Sequence, residues 1–268
     1  MRRIFAIALV CFALVAIATN AQAVPLAVFE DFSGYTGAGF APTPAAGQLD
    51  SDIFRVEGVS DGDTAFGDTN TAGDYARGSS TGGVSGGGIY AFNVGGTNGV
   101  ALGFQPTGSD LTPGAITMRT INNSGATVNA VSVTYDVCVL NNASRANSLN
   151  FAYSTDDVTY TPVPAADFTS PEAEDSPAAW SCVTQAASIT GLTLPNNGLL
   201  YFQWQLDDVS GSGSRDEFAI DDISADIVDT TAVQLTSNGT ASSTPLLPLV
   251  IFIALLVVST PLLATRRK

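Results

Sequence analysis

Paired carboxylates are the only option for catalysis that this sequence leaves. The chain has 268 residues, of which 25 are Asp or Glu, and it contains no histidine. Histidine-dependent nucleophiles, His-ligated zinc sites and a haem held by histidine are therefore excluded. The chemistry that remains is that of a glycosidase pair, a Ca²⁺ site, or hydrogen bonds to a polar ligand.

The densest acidic group is Glu172, Glu174 and Asp175, which could suggest the two carboxylates of a glycosidase. Ser170-Pro171 and Ser176-Pro177 flank this group, so it lies in a loop and not on a strand that holds two acids at a fixed separation. We therefore expect no enzymatic activity and retain a carboxylate-dependent glycosidase as the minor alternative.

Two further acidic groups, Asp61–Asp74 and Asp207–Glu217, are glycine-rich and lack the spacing of an EF-hand. Charges that cluster in loops usually face water. We therefore expect both groups to be solvated loops.

The two ends of the chain predict export and a membrane segment. Met1-Arg2-Arg3, the apolar run Ile4–Ala18 and Ala21-Gln22-Ala23 have the layout of a secretory signal peptide that is cleaved after Ala23. Leu246–Ala264 is uncharged and long enough to span a bilayer, and the basic Arg266–Lys268 after it predicts a cytoplasmic terminus. The alternatives are an uncleaved N-terminal anchor and a buried core helix.

The segment between these ends is strongly acidic. It divides into an ectodomain, residues 24–236, and a polar flexible stalk, residues 237–243, before the terminal segment 244–268. The ectodomain holds all 25 acids and five arginines, so its charge is 5 − 25 = −20. A surface of this sign excludes binding to a nucleic-acid backbone. The length suits one all-β domain.

Apolar residues recur at every second position along the ectodomain. In Val131–Val139 the odd positions are Val or Tyr, and the even positions are Ser132, Thr134, Asp136 and Cys138. About ten such strands, each with one polar face, indicate an all-β fold, an antiparallel two-sheet β-sandwich. The other predicted strands are Ala27–Phe32, Ile53–Val59, Ile89–Val94, Val100–Phe104, Ala115–Ile121, Leu149–Tyr153, Trp180–Ile189, Phe202–Leu206 and Phe218–Ile227.

The last of these strands contains a break in the alternation. Phe218 and Ile220 are at even-numbered positions and would share one face of a regular strand. Ile223, like Asp221, is at an odd-numbered position and would lie on the opposite face. If both isoleucines are buried, a β-bulge must lie between them and turn a carboxylate to a special position.

Three stretches of the ectodomain resemble a family of bacterial secreted or surface jelly-roll domains. They are residues 76–83 (ARGSSTGG), 102–110 (LGFQPTGSD) and 214–223 (SRDEFAIDDI). These domains are related in architecture to carbohydrate-binding and concanavalin-like modules. The resemblance implies a jelly-roll sandwich over most of the ectodomain, but it implies no single activity.

The same resemblance implies a structural calcium ion. In similar modules an acidic residue of the first strand and one of the last-strand motif hold the ion, which here would be Glu30 or Asp31 with Asp221 or Asp222. Carboxylates and backbone carbonyls are the ligands that Ca²⁺ prefers. The alternative is that these carboxylates cap strand ends by accepting backbone N–H bonds.

The last 25 residues resemble the C-terminal sorting signals of bacterial surface proteins, such as the PEP-CTERM type. Thr244–Pro248 (TPLLP) stands where that family has Pro-Glu-Pro. The resemblance implies two fates: the helix stays as an anchor, or a membrane sorting peptidase trims it and releases the ectodomain to the surface.

Cys138 and Cys182 are the only cysteines left once the segment with Cys11 is removed. Exported proteins meet an oxidising compartment, so we predict a disulfide between them. Cys138 lies on the polar parity of its strand, which suggests that another segment reaches it there. Two separate free thiols are the alternative, because the sequence does not give their distance.

Polar residues at outward positions of three predicted strands predict a ligand face with one aromatic ring. Amides, a carboxylate and a ring for stacking suit a sugar. An ordinary solvated outer face would have the same composition. The residues are Thr134, Asp136, Asn150, Tyr201, Gln203 and Gln205.

Together these patterns predict an exported, membrane-tethered β-sandwich that acts as a non-catalytic binding or adhesion module on the cell surface. Its expected partners are extracellular polysaccharide or other surface proteins, and its only expected cofactor is Ca²⁺. The alternative from another class is a structural protein of the envelope or extracellular matrix that acts by self-association.

Overall fold

The computed structural model describes residues 23–228. The predicted signal peptide, except for Ala23, lies outside the described residues, as do the stalk and the C-terminal membrane segment. Within residues 23–228, no helix is long and apolar enough to cross a membrane.

Alternating apolar and polar residues produce the ten longer strands of the described residues, as predicted, and six strands of two residues each were not predicted. Two short 3-10 helices, Gly73–Tyr75 and Pro164–Ala166, interrupt them. The strands are β1 Val24–Pro25, β2 Val28–Glu30, β3 Phe40–Ala41, β4 Leu49–Asp50, β5 Phe54–Glu57, β6 Ser79–Ser80, β7 Gly88–Gly95, β8 Gly99–Gln105, β9 Gly114–Ile121, β10 Val128–Leu140, β11 Arg145–Ser154, β12 Thr161–Pro162, β13 Phe168–Thr169, β14 Trp180–Leu194, β15 Leu199–Gly211 and β16 Glu217–Ile227.

These strands form two seven-stranded sheets and one small pair, β3 with β4. Sheet A has the order β1-β9-β15-β11-β12, with β5 also on β9 and β13 also on β11. Sheet B has the order β14-β10-β16-β8-β7-β6, with β2 also on β16. Most of the pairings are antiparallel, and the predicted two-sheet β-sandwich is confirmed.

One hydrophobic core lies between the sheets. The odd-numbered residues from Val131 to Val139 of β10 contribute to it from sheet B, and Phe151 and Trp204 contribute from sheet A. The Tyr135 ring of sheet B contacts both, with ring centroids 5.4 Å apart in each case. Tyr135 also donates a hydrogen bond to the carbonyl of Ala166, which satisfies its buried hydroxyl. The sandwich thus has its own complete core within residues 23–228 and can be studied as residues 23–230.

The bulge predicted in β16 is present. Thr134 pairs with Ser224 and Asp136 with Asp221, so one residue of β10 faces two residues of β16. Asp222 has φ 47°, the left-handed conformation that a bulge accommodates. Ile220 and Ile223 are both fully buried, as the interrupted alternation requires.

The predicted Cys138–Cys182 disulfide is confirmed. The expectation that another segment reaches Cys138 on this face of its strand is also confirmed. Cys182 lies directly opposite it on β14, the neighbouring strand of the same sheet. The outer face is apolar at this point, since Tyr90, Phe92 and Trp180 cover the disulfide side of the sheet.

The prediction of solvated acidic loops is wrong for Asp74, Asp216 and Glu217, which are all buried. Each finds backbone or arginine partners in place of water. Glu217 accepts hydrogen bonds from the backbone N–H groups of Gly83 (2.9 Å) and Val84 (2.7 Å), which holds the glycine-rich loop against the outer face of sheet B. Desolvation by burial raises the pKa of Glu217 despite these bonds.

Candidate binding face

The six residues predicted to share a ligand face lie on two different sheets. Asn150 on β11 and Gln203 and Gln205 on β15 face outward from sheet A, whereas Thr134 and Asp136 lie on β10 of sheet B. Strand parity shows that a residue points outward but not from which sheet. The prediction of one shared face is therefore wrong for Thr134 and Asp136.

The outer face of sheet A contains a cleft of about 490 Å³. Asn150 and Gln205 lie directly opposite each other across β11 and β15, which brings their amides together on the floor of the cleft. Loops beside the sheet form its walls. The polar lining consists of Glu57, Asp63, Asn150, Gln203, Gln205 and Asp207.

A short chain of hydrogen bonds orients the floor of this cleft. Gln205 Nε2 donates to Gln203 Oε1 (2.7 Å), and Gln203 Nε2 donates to Thr117 Oγ1 (3.1 Å) and to Glu57 Oε2 (3.4 Å). Gln203 is buried with both ends of its amide hydrogen-bonded, whereas Gln205 is exposed and its amide oxygen makes no hydrogen bond within the described residues. The side chain of Asn150 is half-buried and makes no hydrogen bond to another residue in the described part of the chain.

The predicted stacking ring, Tyr201, is not available to a ligand. Its side chain is buried and the Phe66 ring packs against it, with centroids 5.9 Å apart. The guanidinium groups of Arg119 and Arg55 also lie over Phe66, at 4.4 and 5.0 Å from the ring centroid. This geometry is that of cation–π contacts, so Phe66 fixes its loop to the end of the same face.

Arg55 also joins this end of the face to a surface loop. Its guanidinium is 2.7 Å from Asp157 Oδ2, and the hydroxyl of Tyr160 donates to Asp157 Oδ1 at 2.6 Å. Desolvation by burial, followed by the hydrogen bond to Asp157 and the charge of that residue, raises the pKa of Tyr160 above its ordinary value. The loop is thereby held beside the sheet.

The residues predicted to hold calcium behave in two different ways. Glu30 and Asp31 accept backbone N–H bonds from Phe32 (3.1 Å) and Ser33 (3.0 Å), which is the strand-capping alternative. Asp221 is 1% exposed, and neither of its carboxylate oxygens has a hydrogen-bond partner in the described structure. Among residues 23–228, no group of three or more acidic or cysteine side chains is arranged to hold a metal ion.

Asp221 nevertheless lies close to other negative charges. Asp136 lies directly opposite it, and Asp136 accepts hydrogen bonds from Thr184 (2.6 Å) and Asn98 (2.8 Å). Burial, assisted by the charges of Asp222 and Asp31, raises the pKa of Asp221 to about 7. A buried carboxylate without a partner requires a proton or a cation, so this residue fits the chemistry of a cation site better than Glu30 or Asp31.

Sequence reasoning missed Glu57, which lines the sheet A cleft, Thr117, which orients Gln203, and Phe66, which packs on Tyr201 at the end of this face. Glu57 and Thr117 are ordinary strand residues, and nothing in their local pattern distinguishes them. Phe66 carries one usable signal, because a lone aromatic residue in a polar, glycine-rich loop has to pack somewhere. Its position on the sheet could not be deduced from that signal.

No protein-family model matches this chain, and no curated protein matches it. Among solved structures, TmCBM61 in complex with beta-1,4-galactotriose is similar at 8% identity over 53% of this chain and 81% of that one, with a TM-score of 0.32. The K3 cleaved adhesin domain of Lys-gingipain from Porphyromonas gingivalis is similar at 10% identity, covering 51% and 79% of the two chains, with a TM-score of 0.34.

The N-terminal cellulose-binding domain of Cellulomonas fimi beta-1,4-glucanase C is similar at 14% identity over 66% of this chain and 90% of that one, with a TM-score of 0.33. TM-scores of this size carry no argument about function. The sandwich architecture rests on the strand pairings of the chain itself.

Proposed function

We propose that this protein is a non-catalytic binding module that takes a neutral polysaccharide in the cleft on the outer face of sheet A. The observation that supports this proposal is the pairing of Asn150 with Gln205 on the cleft floor, beside the oriented Gln203 amide. Amide groups donate to and accept from sugar hydroxyls at the same time, and a shallow cleft on a rigid sheet suits an extended chain.

The charge of the cleft selects against anionic sugars. Glu57, Asp63 and Asp207 all line it, and the chain as a whole has a net charge of −15. A uronic acid or sulfated sugar would bring like charges together, which costs free energy. The proposed ligand is therefore an uncharged glycan.

Glu57 acts in this proposal as a fixed acceptor and not as a catalytic acid. Its Oε2 receives the Gln203 amide and lies 3.3 Å from an Arg55 guanidinium nitrogen. The acidic group Glu172, Glu174 and Asp175 lies in the irregular loop before β14, where Glu172 accepts a hydrogen bond from the Ser210 hydroxyl at 2.5 Å. We therefore keep the glycosidase only as the minor alternative.

A bound Ca²⁺ beside Asp221 is a second part of this proposal. The two unpartnered oxygens of Asp221 and the facing carboxylate of Asp136 support it. When bound, the ion would neutralise this pair and fix the bulge of β16 to β10. Neither Glu30 nor Asp31 is needed for it, since both already cap the chain.

The proposed location is the cell surface. Export by the N-terminal segment and attachment by residues 244–268 would present the sandwich outside the cell, with the tail cytoplasmic. Cleavage by a sorting peptidase would instead release it. Extracellular polysaccharide would be within reach in both cases.

The test is a glycan array, followed by isothermal titration of the best neutral oligosaccharide against residues 23–230. We expect Asn150→Ala and Gln205→Ala each to weaken binding about tenfold, because each removes a hydrogen-bonding pair of 1–2 kcal/mol. Thr134→Ala is the matched control on sheet B and should bind like the wild type. Binding that is unchanged in both cleft variants, or an array with anionic glycans as the only hits, would contradict the proposal.

A further inference from the structure

Strand β14 is an exposed edge of unusual length. It pairs with β10 on one side and ends sheet B on the other, and it has 15 residues. The other edge strands of the described sheets, β1, β2, β5, β6, β12 and β13, have two to four residues each. Short edge strands are one of the devices by which proteins prevent edge-to-edge pairing, and β14 does not use it.

Strand β14 also lacks the residue types that usually prevent edge-to-edge pairing. Its sequence, WSCVTQAASITGLTL, contains no charged residue and no proline, although the whole chain has a net charge of −15. Charged side chains and prolines are what usually prevent an exposed edge strand from pairing with another strand. A bulge-forming glycine, Gly191 with φ 73°, occurs only near its C-terminal end.

The backbone groups that β14 presents to its open side can be identified from the register. The Cα atoms of Cys138 and Cys182 are 4.0 Å apart, which is the short spacing of a non-hydrogen-bonded antiparallel pair. The register with β10 is unbroken from Trp180 to Thr190. The N–H and C=O groups of alternate residues therefore point away from β10, and these residues are Cys182, Thr184, Ala186, Ser188 and Thr190.

These outward groups have no protein partner in the described part of the chain. No backbone hydrogen bond joins residues 181–190 to anything except β10. The 3-10 helix Pro164–Ala166 packs against β14, but Ala166 is fully buried in the core and the helix forms no backbone bond to the strand. Thr184, Ala186, Ser188 and Thr190 are all exposed.

We propose that two copies of this protein associate by antiparallel pairing of their β14 strands, which joins two B sheets into one. A two-fold axis beside the middle of β14 would pair each outward N–H group of one copy with an outward C=O group of β14 in the other copy. The small outer side chains allow close approach, and Thr–Ser neighbours across the new pair are favourable.

The charge distribution favours a second copy over another protein. Two copies with an excess of acids repel each other on most surfaces, and β14 offers a long strip on which no charges meet. A partner of opposite charge would find no charged side chain on this strand to recognise. The sheet A cleft lies on the other sheet, so this inference stands or falls independently of the proposed glycan binding.

The test is sedimentation velocity over a hundredfold concentration range, with the full chain and with residues 23–230. We expect a reversible dimer in both. Ala186→Pro removes one outward N–H group, and Ala186→Glu places two like charges at the centre of the pair, so each should weaken dimerisation at least tenfold. Val158→Glu, on an 82% exposed loop residue, is the matched control and should dimerise like the wild type.

Thermal melting shows whether each variant is folded. If the proline variant does not fold, the dimerisation of Ala186→Glu alone provides the test. A monomer at all concentrations would overturn the proposal. So would a dimer that persists in both Ala186 variants, because it would use another surface. Association found only in the full chain would overturn it as well, since the C-terminal segment would then be responsible.

Discussion

Asp136 and Asp221 lie directly opposite each other on neighbouring strands, β10 and β16. Asp136 is satisfied by Asn98 and Thr184, whereas Asp221 is buried with both carboxylate oxygens unpartnered in the described structure. The bulge at Asp222 produces this arrangement, because it allows Ile220 and Ile223 to remain in the core while Asp221 faces Asp136. This pair gives two of the predictions below.

The first prediction concerns pH. The pKa of Asp221 is raised to about 7 from 3.8, mainly by burial, so the folded state holds a proton that the unfolded state releases. Its stabilising contribution is complete below pH 4 and is lost as the pH rises through 7, with an upper limit of about 4 kcal/mol. In the presence of a chelator, the urea unfolding midpoint of Asp221→Asn should change less between pH 5 and pH 8 than that of the wild type. Glu174→Gln is the control, and parallel profiles for wild type and Asp221→Asn would refute the prediction.

The second prediction concerns calcium. An ion that binds the folded state alone stabilises it by roughly 2.7 kcal/mol at a hundredfold excess over its Kd. At pH 8, Ca²⁺ should raise the melting midpoint of the wild type relative to chelator, and Asp221→Asn should remove this difference. Asp31→Asn should retain it, because Asp31 caps the chain at Ser33. Identical midpoints of the wild type in Ca²⁺ and in chelator would leave the proton as the sole partner of Asp221.

The third prediction concerns the disulfide. Cys138 and Cys182 are 44 residues apart, so their link removes loop-closure entropy worth on the order of 4 kcal/mol from the unfolded chain. Alkylation of the denatured, exported protein should modify no cysteine without reductant and two with it. Cys138→Ser/Cys182→Ser should unfold at lower urea than the wild type and at the same urea as reduced wild type. Two alkylated thiols without reductant would show that the bond does not form.

The fourth prediction concerns the close packing of Phe92 on Gly103. A Cβ atom on Gly103 would lie 2.2 Å from a ring carbon of Phe92, and that ring is fully buried between Tyr90 and Trp180. Gly103→Ala should therefore cost about 1–3 kcal/mol of unfolding free energy by overpacking. Gly108→Ala is the matched control, because its Cβ would meet no atom within 4 Å. Equal stability of the two variants would show that the ring moves aside freely.

The fifth prediction concerns topology. Protease added to intact cells should remove the sandwich and leave a small C-terminal fragment protected, if residues 244–268 remain as an anchor. A released form shortened at its C-terminus would instead indicate a sorting peptidase. N-terminal sequencing of either form should begin at Val24. The full chain found in the cytoplasm would contradict both fates.

Local alternation by itself determined the ten longer strands of the described residues. The period-two pattern of Val131–Val139 fixed which side chains of β10 enter the core, and the parity conflict between Ile220 and Ile223 required the bulge. Two cysteines remain once the segment with Cys11 is removed, and this count predicted the disulfide. The strands and the bulge depend on residues close in sequence, and the disulfide prediction depended on the cysteine count and an expected oxidising compartment.

The tertiary structure alone decided how the strands are arranged. It placed Gln205 opposite Asn150 and moved Thr134 and Asp136 to the other sheet, although all four have outward parity. It also buried Glu217 beneath the glycine-rich loop. Sheet order and loop docking depend on pairings between residues far apart in the chain, and alternation carries no information about which strands become neighbours.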